Sequence, residues 1–236
     1  MAAVKKAEIL MVLTSTETFP DGSATGWYLP EAAHPAYKFL EAGHVLTWAS
    51  TSGTALCDPS SIEATKEDAE CVKFLADPSL KAATETQAKL EDVDVSKFDV
   101  IFFVGGFGTM WDFPENQAIN DAVVASWKAG KIVAAVCHGP CAFMNVKVDG
   151  AYLVAGKEVT AFTNAEEGAV GKMDVVSKPS GPGSCEDVLG TQCGAIFKDG
   201  GVFQPNVCEA GNLLTGQNPP SAGPLADAIN KKLQAA

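Results

Sequence analysis

The chain has no arginine. All 17 of its cationic residues are lysines, set against 29 acids, and the formal net charge at pH 7 is −12. That argues against nucleic acid as a partner, because phosphate backbones need clustered cations. Bidentate recognition of a phosphate or carboxylate usually recruits a guanidinium fork, and none exists here. A small, weakly charged or neutral substrate fits better, with a lysine available at most as a point charge. Histidine is scarce too, at three residues. The seven cysteines are an odd number without Cys-x-x-Cys or paired Cys/His spacing, which argues against a disulfide scaffold or a structural zinc site. No set of ligands at metal-binding spacing appears, so no required metal is expected. A reduced, cytoplasmic setting is expected, with the nucleus as a second location. There is no Asn-x-Ser/Thr sequon. No apolar run approaches the ~20 residues of a membrane span. Residues 4–13 combine two lysines with a short apolar run, too short for a signal peptide before the polar 14–17. They read as the opening strand.

What remains is an ordinary globular composition, 47% apolar and 19% charged over 236 residues. That suffices for one large α/β domain with a well-buried core, or two small ones. Apolar strands are expected at 8–13, 45–49, 99–104 and 132–136. Shorter candidates lie at 158–162, 195–197, 202–203 and 212–215. Helices are expected at 30–42, stopped by Gly43, and at 59–76, 81–90, 114–129 and 218–235, with short ones after Asn164 and over 184–194. Strands alternating with helices at this spacing imply a mostly parallel sheet covered on both faces. We expect a single domain over 1–236 with a surface insertion around 51–95. In such sheets the site lies beyond the carboxyl ends of the strands. The end of the first strand, Gly105-Gly106 and Cys137 all converge there.

Residues 131–144 carry the strongest local signal. The strand Ile132-Val133-Ala134-Ala135-Val136 breaks at Cys137-His138-Gly139-Pro140 into a helix-compatible run. A nucleophile at a strand-to-helix turn is the geometry of a nucleophile elbow. Peptide dipoles at a helix N-terminus are expected to favour the thiolate. Against this stands the commoner role of a cysteine, a small buried hydrophobe, which is the default for the other six. Cys141, one turn on, reads as a spectator or a resolving thiol. His138 is a candidate general acid/base because imidazole titrates near neutrality, although sequence neighbours at a turn often point apart. His34 and His44 read as structural. Gly105-Gly106-Phe107-Gly108-Thr109 is either a tight turn alone or a turn whose backbone N–H groups form an oxyanion hole. It lacks the phosphate-loop order. Glu31 stands at a helix start at the site edge, where a carboxyl group would share a hydrogen bond with the Cys137 sulfur. Either Glu166 or Glu167 could orient His138, and spacing does not choose between them.

Ala134-Ala135-Val136-Cys137-His138-Gly139-Pro140 resembles the signature of the ThiJ/PfpI superfamily. Its nearest branch is the fungal glutathione-independent glyoxalases, also called glyoxalase III or D-lactate dehydratase and described as heat-shock chaperone-like. Supporting stretches run along nearly the whole chain. They include Leu13-Thr14-Ser15, Glu31-Ala32 with His34-Pro35, Asp112-Phe113-Pro114, Phe162-Thr163, and Thr215-Gly216 with Asn218-Pro219. The resemblance implies a flavodoxin-like three-layer α/β sandwich like that of class I glutamine amidotransferases, and often a homodimer. It implies a Cys-His-Glu triad of Cys137 as nucleophile, His138 as acid/base and Glu167, selected because the family's third member follows the Phe-Thr pair after three residues. Glu31 falls on the family's glutamate beside the sulfur. The N–H groups of Gly106 and His138 would form the oxyanion hole. The implied activity is a cofactor-independent lyase reaction that converts methylglyoxal and water to lactate, with glyoxal as a second expected substrate. The alternatives are a stress-response holdase chaperone or redox sensor using the same thiol, and a cysteine peptidase or amidase. Two departures stand out. Relatives commonly carry histidine where this chain has Phe107, and residues 198–209 lack an expected tryptophan segment; both bear on substrate preference.

Overall fold

The computed structural model describes residues 6–235. Val4 and Lys5, part of the opening run in the sequence reading, lie outside the described residues. Five strands appear first along the chain: β1 (Glu8–Leu13), β2 (Val45–Ser50), β3 (Ala88–Lys89), β4 (Val100–Phe103) and β5 (Ile132–Val136). They join Val207–Ala210 and Leu213–Gly216 in one seven-stranded sheet. Its order runs from 207–210 through 213–216, β5, β4, β1 and β2 to β3. Every neighbouring pair is parallel except the edge pair 207–210 and 213–216. The chain starts at β1, winds outward to β3, then returns to β4 on the other side of β1. The order therefore reverses between β1 and β4, where open α/β sheets place their ligands.

Strand alternation sorts the core into two layers. Ile9, Met11 and Leu13 pack with Ala32, Ala33 and Ala36 of α1 (Leu29–Glu41) and with Leu225, Ala226 and Ile229 of the helix Ala222–Ala235. Leu10 and Val12 face the opposite side, with Ile119 and Val123 of the helix Gln117–Lys128. Both sheet faces are thus buried, which explains strands that read as continuous apolar runs rather than alternating ones. The fold is a flavodoxin-like three-layer α/β sandwich.

The structure differs from the sequence reading at several elements. The single helix expected over 59–76 is two, Pro59–Ala64 and Ala69–Ala76, because Asp58 and Asp68 each cap a fresh N-terminus. The helix expected over 81–90 begins earlier, at Pro78 after the Asp77 cap, and ends at Glu85, freeing Ala88 and Lys89 to pair with β2. Only Glu158–Val159 of the expected 158–162 strand pairs, in parallel with Ile196–Phe197. Residues 202–203 form a turn rather than a strand, whereas Val207–Ala210, not expected, closes the sheet edge.

Candidate active site

The site is built where β1, β4 and β5 end. Phe103 of β4 pairs with Ala135 of β5, so the residues following both strands emerge side by side. Cys137 follows β5 with φ +59°, a left-handed conformation that a non-glycine residue rarely adopts. That turn projects the sulfur away from the strand direction, as a nucleophile elbow requires. The element beyond is a five-residue 3₁₀ helix, Gly139–Phe143, not the α-helix expected. Pro140 near its start fits a first turn but the run carries no regular α-helical ladder.

His138 lies beside Cys137 and is almost fully buried. Its Nδ1 is 3.4 Å from the Cys137 Sγ, and its Nε2 is 2.7 Å from Glu167 Oε1. The imidazole packs against two rings, Phe107 at 4.3 Å and Phe162 at 4.5 Å between centroids, tilted by 38° and 35°, and these two rings meet each other edge-on at 6.2 Å. These two ring contacts, with the Glu167 carboxylate beyond, hold the imidazole toward the sulfur although the two residues are sequence neighbours at a turn. With Nε2–H donating to Glu167, Nδ1 offers its lone pair to the thiol.

Glu166 and Glu167 open the short helix Asn164–Ala169 and have separate tasks. Glu166 forms a capping box with Thr163. Its Oε2 accepts from the Thr163 N–H and hydroxyl, and its Oε1 accepts from the Phe203 N–H, Gln217 Nε2 and Asn218 Nδ2. It anchors the 198–206 segment over the site and is turned away from His138. Phe203, at φ +53°, leans on Phe162 at 6.2 Å.

Glu31, in the first turn of α1, is completely buried beside the sulfur. Burial pushes its carboxyl up to about 8, offset only in part by the Cys137 thiol and the Gly105 backbone. Neither carboxyl oxygen meets a partner at full hydrogen-bond geometry among the described residues. At neutral pH the group is therefore a neutral acid next to the thiol. Burial and the Glu31 carboxyl also hold the Cys137 thiol well above its ordinary value, and the His138 backbone N–H opposes them. The expected pull of a helix start toward the thiolate is opposed by this desolvation, and the helix beyond is short. Tyr28, not singled out in the sequence, is raised to about 12 by burial and then by Glu31 and Cys137, so it stays a hydroxyl donor at the site edge.

The glycines are required sterically. A Cβ on Gly105 would meet Glu31 Oε2 at 2.3 Å and the Val136 carbonyl at 2.5 Å. Gly106, at φ +112°, would drive one into the Gly26 carbonyl at 2.4 Å. The Gly106 N–H has no acceptor among the described residues.

The other candidates fall elsewhere. Cys141 donates to the Thr109 carbonyl at 3.2 Å and faces away from Cys137. His44 is buried and accepts the Ala7 N–H at 3.1 Å. His34 meets Asp68 and Cys71, a grouping invisible in the sequence because 34 residues separate the first two.

Comparison with known proteins agrees with this architecture. The model of the DJ-1/PfpI family matches residues 23–232. A Candida albicans protein named Glyoxalase 3 is 30% identical over 229 residues, covering 94% of this chain and 96% of the relative. The crystal structure of glyoxalase III from the same organism superposes with a TM-score of 0.84 at 28% identity, over 94% of this chain and 95% of that one. The Francisella tularensis Rapid Encystment Protein of 24 kDa superposes with a TM-score of 0.90 at 37% identity, over 96% of this chain and 99% of that one. The chain belongs to the DJ-1/PfpI family.

Proposed function

We propose that this chain is a glutathione-independent glyoxalase working as one domain, converting methylglyoxal and water to lactate. The observation that carries the reading is the Cys137–His138–Glu167 relay, with steps of 3.4 Å and 2.7 Å, at a left-handed elbow. Proteins named as glyoxalases at about this chain's full length support it.

The reaction is an internal redox exchange and needs no external oxidant. As the Cys137 sulfur adds to the aldehyde carbon, its proton passes to His138 Nδ1, and Glu167 steadies the imidazolium that forms. The oxyanion of the hemithioacetal meets the N–H groups of Gly106 and His138. His138 returns that proton to the oxyanion, and the imidazole, neutral again, carries a proton from the former aldehyde carbon to the neighbouring carbonyl carbon through an enediol. The former aldehyde carbon becomes a thioester and the former ketone a secondary alcohol. Water cleaves the thioester, releasing lactate and the thiol. Glu31, protonated below about pH 8, serves as a neutral hydrogen-bond donor toward sulfur or substrate oxygen.

The enclosure supports a small substrate. Cys137 is only 4% exposed, beside a histidine packed against Phe107 and Phe162, whereas peptide hydrolysis needs an open groove. An oxidant-sensing thiol is disfavoured for a related reason, since oxidation follows thiolate character and exposure. Lactate formation from methylglyoxal without added thiol tests the reading. Cys137→Ser is expected to abolish it. Glu167→Gln is expected to lower kcat by roughly 10²-fold, whereas Glu166→Gln lowers the thermal midpoint more than kcat. Full activity in Cys137→Ser, or equal kcat losses in the two glutamate variants, would remove the assignment.

A further inference from the structure

A second cluster of reactive side chains lies apart from the relay, between α1 and the helix Ala69–Ala76. His34 projects from α1 one turn after Glu31. Its Nε2 is 3.0 Å from Asp68 Oδ2, 3.8 Å from Glu70 Oε2 and 4.0 Å from Cys71 Sγ. One atom each from His34, Asp68 and Cys71 fall within 4.8 Å of one another.

Ordinary structural duties do not exhaust these atoms. Asp68 caps the helix with Oδ1 alone, accepting from the Glu70 and Cys71 N–H groups. That leaves Oδ2 turned toward His34. A serine or alanine at position 71 would leave the cap intact, yet a thiol is directed at the same point. The residue burial is graded. Cys71 is fully enclosed, while the His34 and Asp68 side chains are 24% and 33% exposed, so the cluster has an inner wall and an open mouth.

We propose that His34, Asp68 and Cys71 form a binding site for a zinc-like divalent transition metal. The donor set of imidazole nitrogen, carboxylate oxygen and thiolate sulfur is that of zinc and its neighbours; hard cations such as calcium or magnesium have no use for the sulfur. Three protein ligands leave a fourth position for Glu70 or water. His34 Nε2 and Asp68 Oδ2 already stand 3.0 Å apart, and the sulfur, 4.0 Å from Nε2, must move inward for the three ligands to share one ion. On binding, the Cys71 S–H bond breaks, the sulfur–metal bond forms, and the proton leaves to solvent. The ion would staple the 59–85 helices to α1, the helix whose first turn carries Glu31.

Cobalt(II) is the probe, because thiolate ligation produces a near-ultraviolet charge-transfer band and tetrahedral geometry intensifies the visible bands. Titration of the intact protein should show both, saturating at one equivalent. Cys137→Ser should titrate identically. Cys71→Ser should lose the charge-transfer band, and His34→Gln should weaken cobalt binding by roughly tenfold or more, since even outer partners of a metal ligand are worth that much. Zinc should raise the thermal midpoint of the parent and of Cys137→Ser, but not of Cys71→Ser or His34→Gln. His34→Gln, at a partly exposed position, keeps the test decisive should Cys71→Ser fold poorly. Absence of the band in the parent, its survival in Cys71→Ser, or undiminished binding by His34→Gln overturns the proposal.

Discussion

Glu31 ties the chemistry of one residue to the pH dependence of the fold. Its carboxyl is raised from 4.5 to about 8 by burial. Between those values the folded chain holds a proton that the unfolded chain has released. Stability therefore falls as pH rises through that window, the reverse of a salt-bridged carboxylate. A tenfold change in proton affinity is equivalent to about 1.4 kcal/mol, so the full penalty at pH 8 and above is on the order of a few kcal/mol. Glu31→Gln mimics the neutral form and removes the titration. It should unfold at a higher denaturant midpoint than the parent at pH 8 and at a similar one near pH 5. A gap that does not widen with pH would refute the buried-acid reading. This behaviour was not legible in the sequence, which marks Glu31 only as a carboxylate at a helix start. Cys137 was legible, because an apolar strand ending in a lone thiol before Gly-Pro is a local pattern. The partner of His138 was legible only through the family pattern. Spacing leaves Glu166 and Glu167 equal, and what separates them is a set of donors from Phe203, Gln217 and Asn218, far along the chain. Phe107, read as a departure from relatives, turns out to be one of two rings packed on the imidazole.

Among elements, those with strong periodicity and clear ends follow their sequence signals, and those held only by tertiary pairing do not. Strand β1 and helix α1 fall within a residue of expectation because apolar runs and a proline and glycine at the ends mark them locally. Strand β3 is two exposed residues whose only reason to be extended is the edge of β2. The Val207–Ala210 edge strand likewise pairs on one side only. The Asp58, Asp68 and Asp77 caps show that a helix-compatible stretch is cut wherever a short acceptor can satisfy a new N-terminus. The same device starts the helix Gln117–Lys128, where Asn116 accepts from the Ala118 and Ile119 N–H groups. Asn116→Ala should cost about 1 kcal/mol. For a chain of this size that is a drop of roughly 2–4 °C in thermal midpoint. Since this helix packs on the face opposite α1, kcat should not change. A loss of activity at unchanged stability would mean that the helix start positions the site in a way its contacts do not show.

At the scale of the whole molecule, an acidic surface and a buried acid act on stability through the same variable and can be separated. Topology was readable from the alternation of strands and helices, and the switch point beside β1 follows from the sheet order rather than from any one residue. Net charge was readable too, but its consequence depends on where the charges lie. The excess of 29 acids over 17 lysines gives −12, and the ion pairs are mostly exposed single contacts such as Lys66–Glu63 and Lys81–Glu85. Such pairs contribute about 0–1 kcal/mol each, and salt screens them. It also screens the general repulsion among the surplus acids, with a Debye length falling from about 30 Å at 0.01 M to about 3 Å at 1 M. With so unequal a charge count, relief of repulsion should win. The thermal midpoint at pH 8 should rise as sodium chloride is added. Glu31 sits in the dry interior beyond the reach of that screening, so the advantage of Glu31→Gln at pH 8 should persist at 1 M salt. A midpoint that falls with salt would show that local ion pairs outweigh the net charge. A variant advantage that disappears at high salt would show that the penalty at position 31 comes from the acidic surface and not from burial.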